Sequence, residues 1–467
     1  MAYIVGLDRN QTRMITTSLD DLIDPDNSVR VIDAYVEALN LQDLGFAEYS
    51  GSNRGQSPYR RSDLLKLHIY GYLNKIRSSR ALEVEAKRNI ELMWLINSIT
   101  PDHGTIAGFV QKNKVAFHNT LRNLTLILKG WGLIDGKLDA VDGTKIKAQN
   151  SKHNCITQSG LDKKIEYAEA QINVYLMAMQ KEDTGEEHFA EKLQAYQALK
   201  EQYLVQKQEL ENESLEQKSL TDPDSRRMKN NGSLDICYNV QSVVDAQNHF
   251  VIDISTTNDI NDQNQLYEMA KDATDLLESE NSIILADTGY YNGTEIKKCI
   301  DAGMKVYIKK ARANNSTKDD EFRKEKFLYD KEQDIYICPT GNILSFFENT
   351  SKNGIKYRRY KCSECNSCKY KNVCTSSSRG RTLQRWEHED ILDAVRQDTL
   401  NNNDVYKQRK CIVEHPFGTI KRTLGYSFFL RRQIDNVDAE ASSMFIAYNI
   451  KRLLSMFSTK ELIKKFG

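Results

Sequence analysis

The feature that most limits how this chain folds is a pair of short, mainly apolar runs that each stop at an aspartate. Leu138-Asp-Ala-Val141 leads into Asp142-Gly143-Thr144, and Ile283-Ile-Leu-Ala286 leads into Asp287-Thr288-Gly289. Short apolar runs without alternation suit strands buried on both faces. A polar residue at the carboxyl end of such a strand stands where open α/β sheets collect ligands. Alone, Asp142-Gly143 also fits a turn, and Asp287 a helix cap.

The surrounding periodicities give an element order. Residues 1–130 read as helical. Val29, Ile32, Val36 and Leu39 fall at helical spacing, as do Leu64, Leu67 and Tyr70. Ser62-Asp63 suits a helix start, and Pro101-Asp102 marks a break before another helix. After the strand at Leu138, two amphipathic segments within 155–220 read as an inserted helical hairpin, with Asp183-Thr-Gly185 as its turn. Strands follow at Ile236–Asp245 and His249–Thr257, and a helix over about Gln263–Glu278. Next come the strand ending at Ala286, a helix at Thr294–Ala302, a strand at Lys305–Lys309, and an insertion over 311–395. This is a mixed α/β (α+β) fold with the order of an RNase H-like domain. It gives an all-α domain over 1–130, expected to bind DNA, and a catalytic domain over 131–460.

Net charge is zero, but by cancellation. Residues 51–130 carry 13 Lys/Arg against 5 Asp/Glu, and residues 401–467 carry 12 against 6. Acidic blocks at 1–50 and 161–220 offset them. Two basic blocks suggest two surfaces that meet phosphate. Arg60, Arg61, Arg77 and Arg80 stand among tyrosines in the first. No apolar stretch approaches the roughly 18 residues of a membrane helix, and the opening run is too short for a signal peptide. A cytoplasmic, nucleoid-associated protein with reduced cysteines is expected.

A third carboxylate, Glu414, lies in Ile412-Val-Glu-His-Pro-Phe-Gly-Thr-Ile-Lys421. On a helix, Lys410, Glu414, Gly418 and Lys421 fall near one face, and Val413, Phe417, Ile420 and Leu424 supply the buried side. Pro416 predicts a kink or restart. Carboxylates from two strands and a helix are hard oxygen donors of the kind that two Mg2+ or Mn2+ ions require. Such ion pairs drive displacement at a phosphodiester, without a general-base histidine. In this reading Asp142, Asp287 and Glu414 hold the ions, and Lys421 holds the DNA backbone. His388 and His415 read as surface or satisfied residues.

These residues carry a resemblance. The chain resembles bacterial insertion-sequence transposases of the DDE class, with a helical N-terminal domain and a cysteine-containing insertion. Asn27-Ser-Val-Arg-Val-Ile-Asp33, Ser57-Pro-Tyr-Arg60, Leu65-Lys-Leu-His-Ile-Tyr-Gly-Tyr-Leu73 and Asn89-Ile-Glu-Leu-Met-Trp-Leu95 resemble that N-terminal domain. Val141-Asp-Gly-Thr-Lys-Ile-Lys-Ala148 and Ala286-Asp-Thr-Gly-Tyr290 resemble the two aspartate motifs. Thr221-Asp-Pro-Asp-Ser225, Tyr238-Asn-Val-Gln241 and Asn258-Asp-Ile-Asn-Asp262 resemble intervening strands. Tyr406, Arg409, Glu414 and Lys421 resemble the last motif, except that Lys410, not Arg409, has the family's spacing to the glutamate. The resemblance implies a homodimer that binds terminal inverted repeats, cuts double-stranded DNA there and joins the ends to target DNA. A silent DNA-binding relative and a structure-selective nuclease are the alternatives.

Cys338, Cys362, Cys365, Cys368 and Cys374 cluster in a basic loop of the second insertion. The spacing fits a structural Zn2+ site, an iron–sulfur centre or unmetallated thiols. Cys155, Cys237, Cys299 and Cys411 read as small buried residues.

Overall fold

A computed structural model of the protein describes residues 17–47, 58–179, 186–230, 232–310, 320–352 and 354–467. The opening run, Ser57 and the Asp183–Gly185 turn lie outside the described residues. The chain forms two compact units. The first comprises Met1–Asp135, Asp142–Ile260 and Ile412–Gly467; the second comprises Gly136–Val141 and Asn261–Cys411.

In the first unit the amino-terminal helices are α1 (Val29–Glu37), α2 (Arg61–Leu73), α3 (Ser79–Ala86), α4 (Ile90–Leu95), α5 (His103–Lys112) and α6 (Lys114–Gly130). Asp102 caps α5, its Oδ1 accepting from the backbone N–H groups of Gly104 at 2.8 Å and Thr105 at 3.0 Å. These are the donors that an opening helix leaves unsatisfied. α2 starts at Arg61, before Ser62, and is buried from Asp63 to Tyr72. It buries Lys66 because the ammonium bridges Asp33 at 2.7 Å and Glu37 at 2.6 Å on α1.

There follow β1 (Leu138–Lys147), β2 (Cys155–Thr157), α7 (Gln158–Met179), α8 (Glu186–Asn212), β3 (Gln217–Ser219), β4 (Arg226–Asn230), β5 (Ser233–Asp245) and β6 (Val251–Thr257). The inserted hairpin is antiparallel. Lys200 pairs with Glu169, and Lys207 with Asp162, while Tyr175 stacks on Tyr196. Ile156, Leu161 and Leu210 form its own small core at the root.

The second unit contains α9 (Leu266–Leu277), β7 (Ile283–Ala286), α10 (Gly293–Asp301) and β8 (Lys305–Ile308). It also contains β9 (Leu328–Asp330), β10 (Ile335–Ile337), β11 (Ile343–Lys352), β12 (Ile355–Lys361), α11 (Lys371–Cys374), β13 (Thr382–Trp386) and α12 (Glu389–Asn401). The chain closes with α13 (Asn403–Gly418), α14 (Ile434–Met456) and α15 (Thr459–Phe466).

β1 is common to both units. Its first residues pair in parallel with β7, ending at Val141↔Ala286, and β7 pairs in parallel with β8. Its other neighbour is β5, whose first half pairs with β4 and second half with β6, both antiparallel. The order β6-β5-β1-β7-β8, with α9 after the third of these strands along the chain and α10 after the fourth, is RNase H-like.

Three local expectations need correction, and the second insertion gains a description. β1 does not stop at Asp142 but runs on to Lys147; what stops there is its pairing with β7. Thr221–Ser225 and Asn258–Asp262 are connections, not strands. The second insertion, which shows no strand period in the sequence, has a fold of its own. It is a five-stranded antiparallel sheet in the order β13-β12-β11-β10-β9, and Cys362–Cys374 lies in the connection from β12 to β13. Finally, α13 runs through Pro416, and the distortion comes later, as a π-helical turn over Thr419–Thr423.

α14 is the keel of the first unit, buried along most of its length. Its N-terminal donors are met from afar. Asp222 Oδ1 accepts from Gln433 N–H at 3.1 Å, and Asp224 Oδ2 from Ile434 N–H at 2.9 Å. Glu440 is fully buried and accepts from the N–H groups of Leu430 and Arg431. Burial pushes its carboxyl pKa up, and these bonds and Arg77, 3.4 Å away, oppose that shift. His118 on α6 is clamped between Asp253 on β6 at 2.9 Å and Asp438 on α14 at 3.0 Å. Burial works against its charge, but the two carboxylates outweigh burial and push its pKa up to about 10.

Two predictions follow from these pairs. Arg77→Ala strands the Glu440 carboxylate and is expected to cost about 3 kcal/mol in urea unfolding; a loss within error would show that Glu440 is neutral or relaxes to water. The His118 pKa is raised above its unfolded value of about 6.5, so its contribution is complete below that pH and is lost as pH rises toward 10. The stability gap between wild type and His118→Gln should therefore shrink between pH 6.5 and pH 10. A constant gap would mean that the imidazole carries no extra proton.

Candidate active site

Within the first unit, Asp142 is half-buried at the point where β1 leaves β7. Its Oδ1 accepts from Gly143 N–H at 2.8 Å, and its carbonyl from Ser242 Oγ at 3.5 Å. Three residues on, the Lys145 carbonyl accepts from the Lys421 ammonium at 2.9 Å. Burial depresses the Lys421 pKa, and Cys237 and Lys145 have smaller, opposed effects. Beyond Lys421 the chain returns to the same strand: Lys147 N–H donates to the Ser427 carbonyl and Phe429 N–H to the Lys147 carbonyl. The turn after Glu414 is thus tied to the strand that carries Asp142.

Glu414 is exposed, whereas Val413, Ile420 and Leu424 are buried and Phe417 is half-buried. A side chain at Gly418 would meet nothing within 4 Å, so the backbone there is open to a bulky ligand. The neighbouring His415 is held on the inner side. Its Nδ1 lies 2.7 Å from the Tyr448 hydroxyl, which itself donates to the His249 carbonyl at 2.6 Å. That hydroxyl proton is committed, so Nδ1 carries the proton of the His415–Tyr448 bond, and Nε2 faces Arg452 at 3.4 Å as an acceptor. Burial, and then Arg452, keep the His415 pKa low, in keeping with this neutral form.

Within the second unit, Asp287 caps the turn Thr288–Tyr290 through Gly289 N–H at 2.6 Å. A Cβ at Gly289 would lie 2.9 Å from Asp287 Oδ1 and 3.8 Å from Asp262 Oδ2, so the two carboxylates flank one glycine. Tyr406 is half-buried. Burial raises its phenol pKa, the Arg409 charge counters the rise, and the Asp287 charge adds to it. The Lys309 ammonium stands 4.7 Å from the Tyr406 ring centre and donates to Asn403 Oδ1 at 2.8 Å. Sequence reasoning missed Asp262 and Lys309. Asp262 closes the Asn258–Asp262 motif, and Lys309 directly follows β8.

The basic residues divide. Arg60, Arg80 and Lys410 are exposed. The Arg61 guanidinium donates to the Phe46 carbonyl at 2.5 Å. Arg77 sits over Tyr426 and Phe428 and donates to the Phe428 carbonyl at 2.7 Å. The hydrogen bonds of Arg61 and Arg77 are thus directed into the fold. Cys338, Cys362, Cys365, Cys368 and Cys374 all line one cavity of about 20 Å³. Cys237 and Cys299 are buried as expected and Cys155 is half-buried, but Cys411 is exposed, on the outer face of α13.

Residues 337–454 match the family model described as Transposase DDE domain, and residues 17–112 match the one described as Transposase domain (DUF772). The first match includes Glu414 but neither Asp142 nor Asp287. No curated protein matches the chain. Among solved structures, a piggyBac transposase synaptic complex with hairpin DNA aligns over 94% of this chain and 79% of that one, at 7% identity and a TM-score of 0.31, too weak a likeness to build on. No helix among the described residues is long and apolar enough to cross a membrane. With one transposase model matching its helical amino-terminal part and the other the segment that holds Glu414, the two matches together support an insertion-sequence transposase of the DDE class, an enzyme that acts on DNA.

Proposed function

We propose that the protein binds the terminal inverted repeats of its element as a homodimer. It then cuts there and joins the freed ends to target DNA, through Asp142, Asp287 and Glu414. One observation carries this reading: the last parallel pair of β1 and β7 is Val141↔Ala286, so both aspartates are the next residue on neighbouring strands. Chains that leave a parallel ladder in register deliver their next side chains to the same sheet end. The tie from Lys421 to Lys145 supports a place for the Glu414 segment beside β1.

The chemistry of the donor set suits a divalent ion such as Mg2+, while among the described residues no three carboxylates already stand as an ion-holding group. All three groups are carboxylates, the hard donors such ions prefer, and Asp262 supplies a fourth beside Asp287. When bound, two such ions activate the attacking oxygen and stabilise the leaving one. The chain's own residues do the rest. Asp142 is oriented by Gly143 N–H, and Asp287 by Gly289 N–H. The His415–Tyr448 bond fixes the helical turn that presents Glu414. Arg409, Lys410 and Lys421 offer cations to the backbone phosphates, and Tyr406 packs beside Lys309 to shape that edge. Arg60 and Arg80 add phosphate contacts from the amino-terminal helices.

Asp142→Asn, Asp287→Asn and Glu414→Gln are each expected to lower cleavage of repeat-end oligonucleotides at least 1,000-fold, on the order seen when a charge-stabilising group is lost. Repeat binding, measured by mobility shift, should change by less than about threefold, since phosphate contacts dominate affinity. Activity retained in any one variant removes that residue from the site. Repeat binding without cleavage by wild type, in either Mg2+ or Mn2+, would favour a silent relative. Cutting of flaps with no preference for the repeat would favour a nuclease.

A further inference from the structure

We propose that Cys338, Cys362, Cys365 and Cys374 bind one structural zinc ion, which staples the β12–β13 connection to the β10–β11 turn; Cys368 is a spare thiol at the edge. The inference is independent of the transposition reading. The four residues come from three places along the chain: Cys338 from the turn after β10, Cys362 and Cys365 from the end of β12, and Cys374 from the end of α11.

Convergence is the first ground. All five cluster thiols line a single cavity of about 20 Å³, walled otherwise by Phe322, Phe327 and Leu344 among others. That volume suits one small sphere. The five-residue gap from Cys368 to Cys374 is longer than the three-residue gap of the ferredoxin run, which weighs against the iron–sulfur alternative. Cys362 and Cys374 are buried in the core of this sheet, with Cys338 and Cys365 packed against them, whereas Cys368 is not part of that core.

Hydrogen bonding into sulfur is the second ground. Cys338 Sγ accepts from Asn342 N–H at 3.2 Å and has the Thr340 hydroxyl at 3.0 Å; Cys365 Sγ accepts from Arg381 N–H at 3.4 Å. Donors aimed at sulfur stabilise a thiolate much more than a thiol. The close pass that brings Arg381 to Cys365 requires glycine. Gly380 has φ +86°, and a Cβ there would lie 2.8 Å from Cys365 Cβ.

Charge is the third. Residues 355–385 hold nine Lys/Arg (Lys356, Arg358, Arg359, Lys361, Lys369, Lys371, Arg379, Arg381, Arg385) against Glu364 alone. Arg358, Arg359 and Arg385 are paired with Asp334, Glu348 and Asp390/Asp393, and the six other cations of the segment exceed the −2 that four thiolates and one Zn2+ would carry. The need is plain as well. The sheet's core is a handful of aromatic and aliphatic side chains, and a core that small rarely holds a fold unaided. Among the described residues, no three His, Cys, Asp or Glu side chains stand as a ready ion-holding group. The four thiols reach a common ion by rotating into the cavity they share, to about 2.3 Å. On binding, four S–H protons leave and four S–Zn bonds form.

Purified full-length protein, assayed by plasma mass spectrometry, should carry about one zinc per chain and no iron. Cys338→Ser, Cys362→Ser, Cys365→Ser and Cys374→Ser should each lose it, while Cys368→Ser and Cys155→Ser keep it. Because a serine variant of the core can fail to fold, wild type stripped by chelator is also titrated with Co2+. It should take up one equivalent and show thiolate-to-cobalt absorption. No zinc together with no cobalt band overturns the site, as does stoichiometric iron. Zinc lost in Cys368→Ser but kept in Cys374→Ser overturns the choice of ligands.

Discussion

The register of β1 against β7 is the constraint from which the rest of the structure follows. Val141 opposes Ala286, and the ladder ends there. Side chains alternate along a strand, so a slip of one residue would turn Asp142 to the other face and carry Val141 into the space packed for Ala140. Burial forbids the slip: Ala140, Val141, Ile284, Leu285 and Ala286 are all inaccessible to solvent. A hydrophobic requirement therefore sets where a carboxylate stands. The strand then continues past its partner, and its free end is claimed by other segments. Lys145 receives Lys421, and Lys147 exchanges backbone hydrogen bonds with Ser427 and Phe429. A single strand thereby fixes one aspartate and ties down the turn that follows the glutamate.

In the first unit the second organiser is α14. Its middle faces protein on every side, so each polar group on it needs a partner inside the fold. Glu440 has two backbone donors and Arg77. Asp438 has His118 and Thr256 N–H at 3.1 Å. Asn449 exchanges two hydrogen bonds with the backbone of Val251, at 3.0 and 2.9 Å. These bonds are directional, whereas apolar burial is not, so they select one rotation of the helix among several that would bury similar area. The Asp222 and Asp224 carboxylates at its N-terminus do the same for its axial position.

The sequence was most legible where burial and period agree. β1, β7, β8, α9 and α10 are short, apolar or strongly amphipathic, and their order alone gives the sheet. β9 to β13 were illegible for a physical reason. Ile355-Lys-Tyr-Arg-Arg-Tyr-Lys361 mixes cations with aromatic rings, and only Tyr360 is fully buried. Such strands are held by cross-strand ring and guanidinium contacts, as where Arg358 lies 4.4 Å from the Phe346 ring centre. Those partners are invisible to a local pattern. Pro416 misled in the other direction. Its missing N–H removes one helical bond, but the neighbouring turns keep theirs, and the π-helical turn starts three residues later, at Thr419. Asp262 and Asp287 flank Gly289 in the fold, and nothing in spacing brings residues 262 and 287 together.

Arg77 shows most clearly what a charge count conceals. In the sequence it belongs to a basic, tyrosine-bearing block that suits nucleic acid, and its partner Glu440 lies 363 residues away. In the fold the guanidinium is covered by Tyr426 and Phe428. Lys66 and Arg61, from the same block, also turn inward. The excess of cations over residues 51–130 therefore overstates the charge available at the surface, and the exposed share falls to residues such as Arg60 and Arg80. Lys421 stands between these cases. Half-buried and already donating to a carbonyl, it has a depressed pKa because desolvation disfavours its charge. A phosphate beside it would relieve that penalty directly, so a cation held this way gains more from an anion than a solvated surface lysine does. Its tie to the strand that carries Asp142, more than the number of lysines, is what the proposed contact with an anionic backbone rests on.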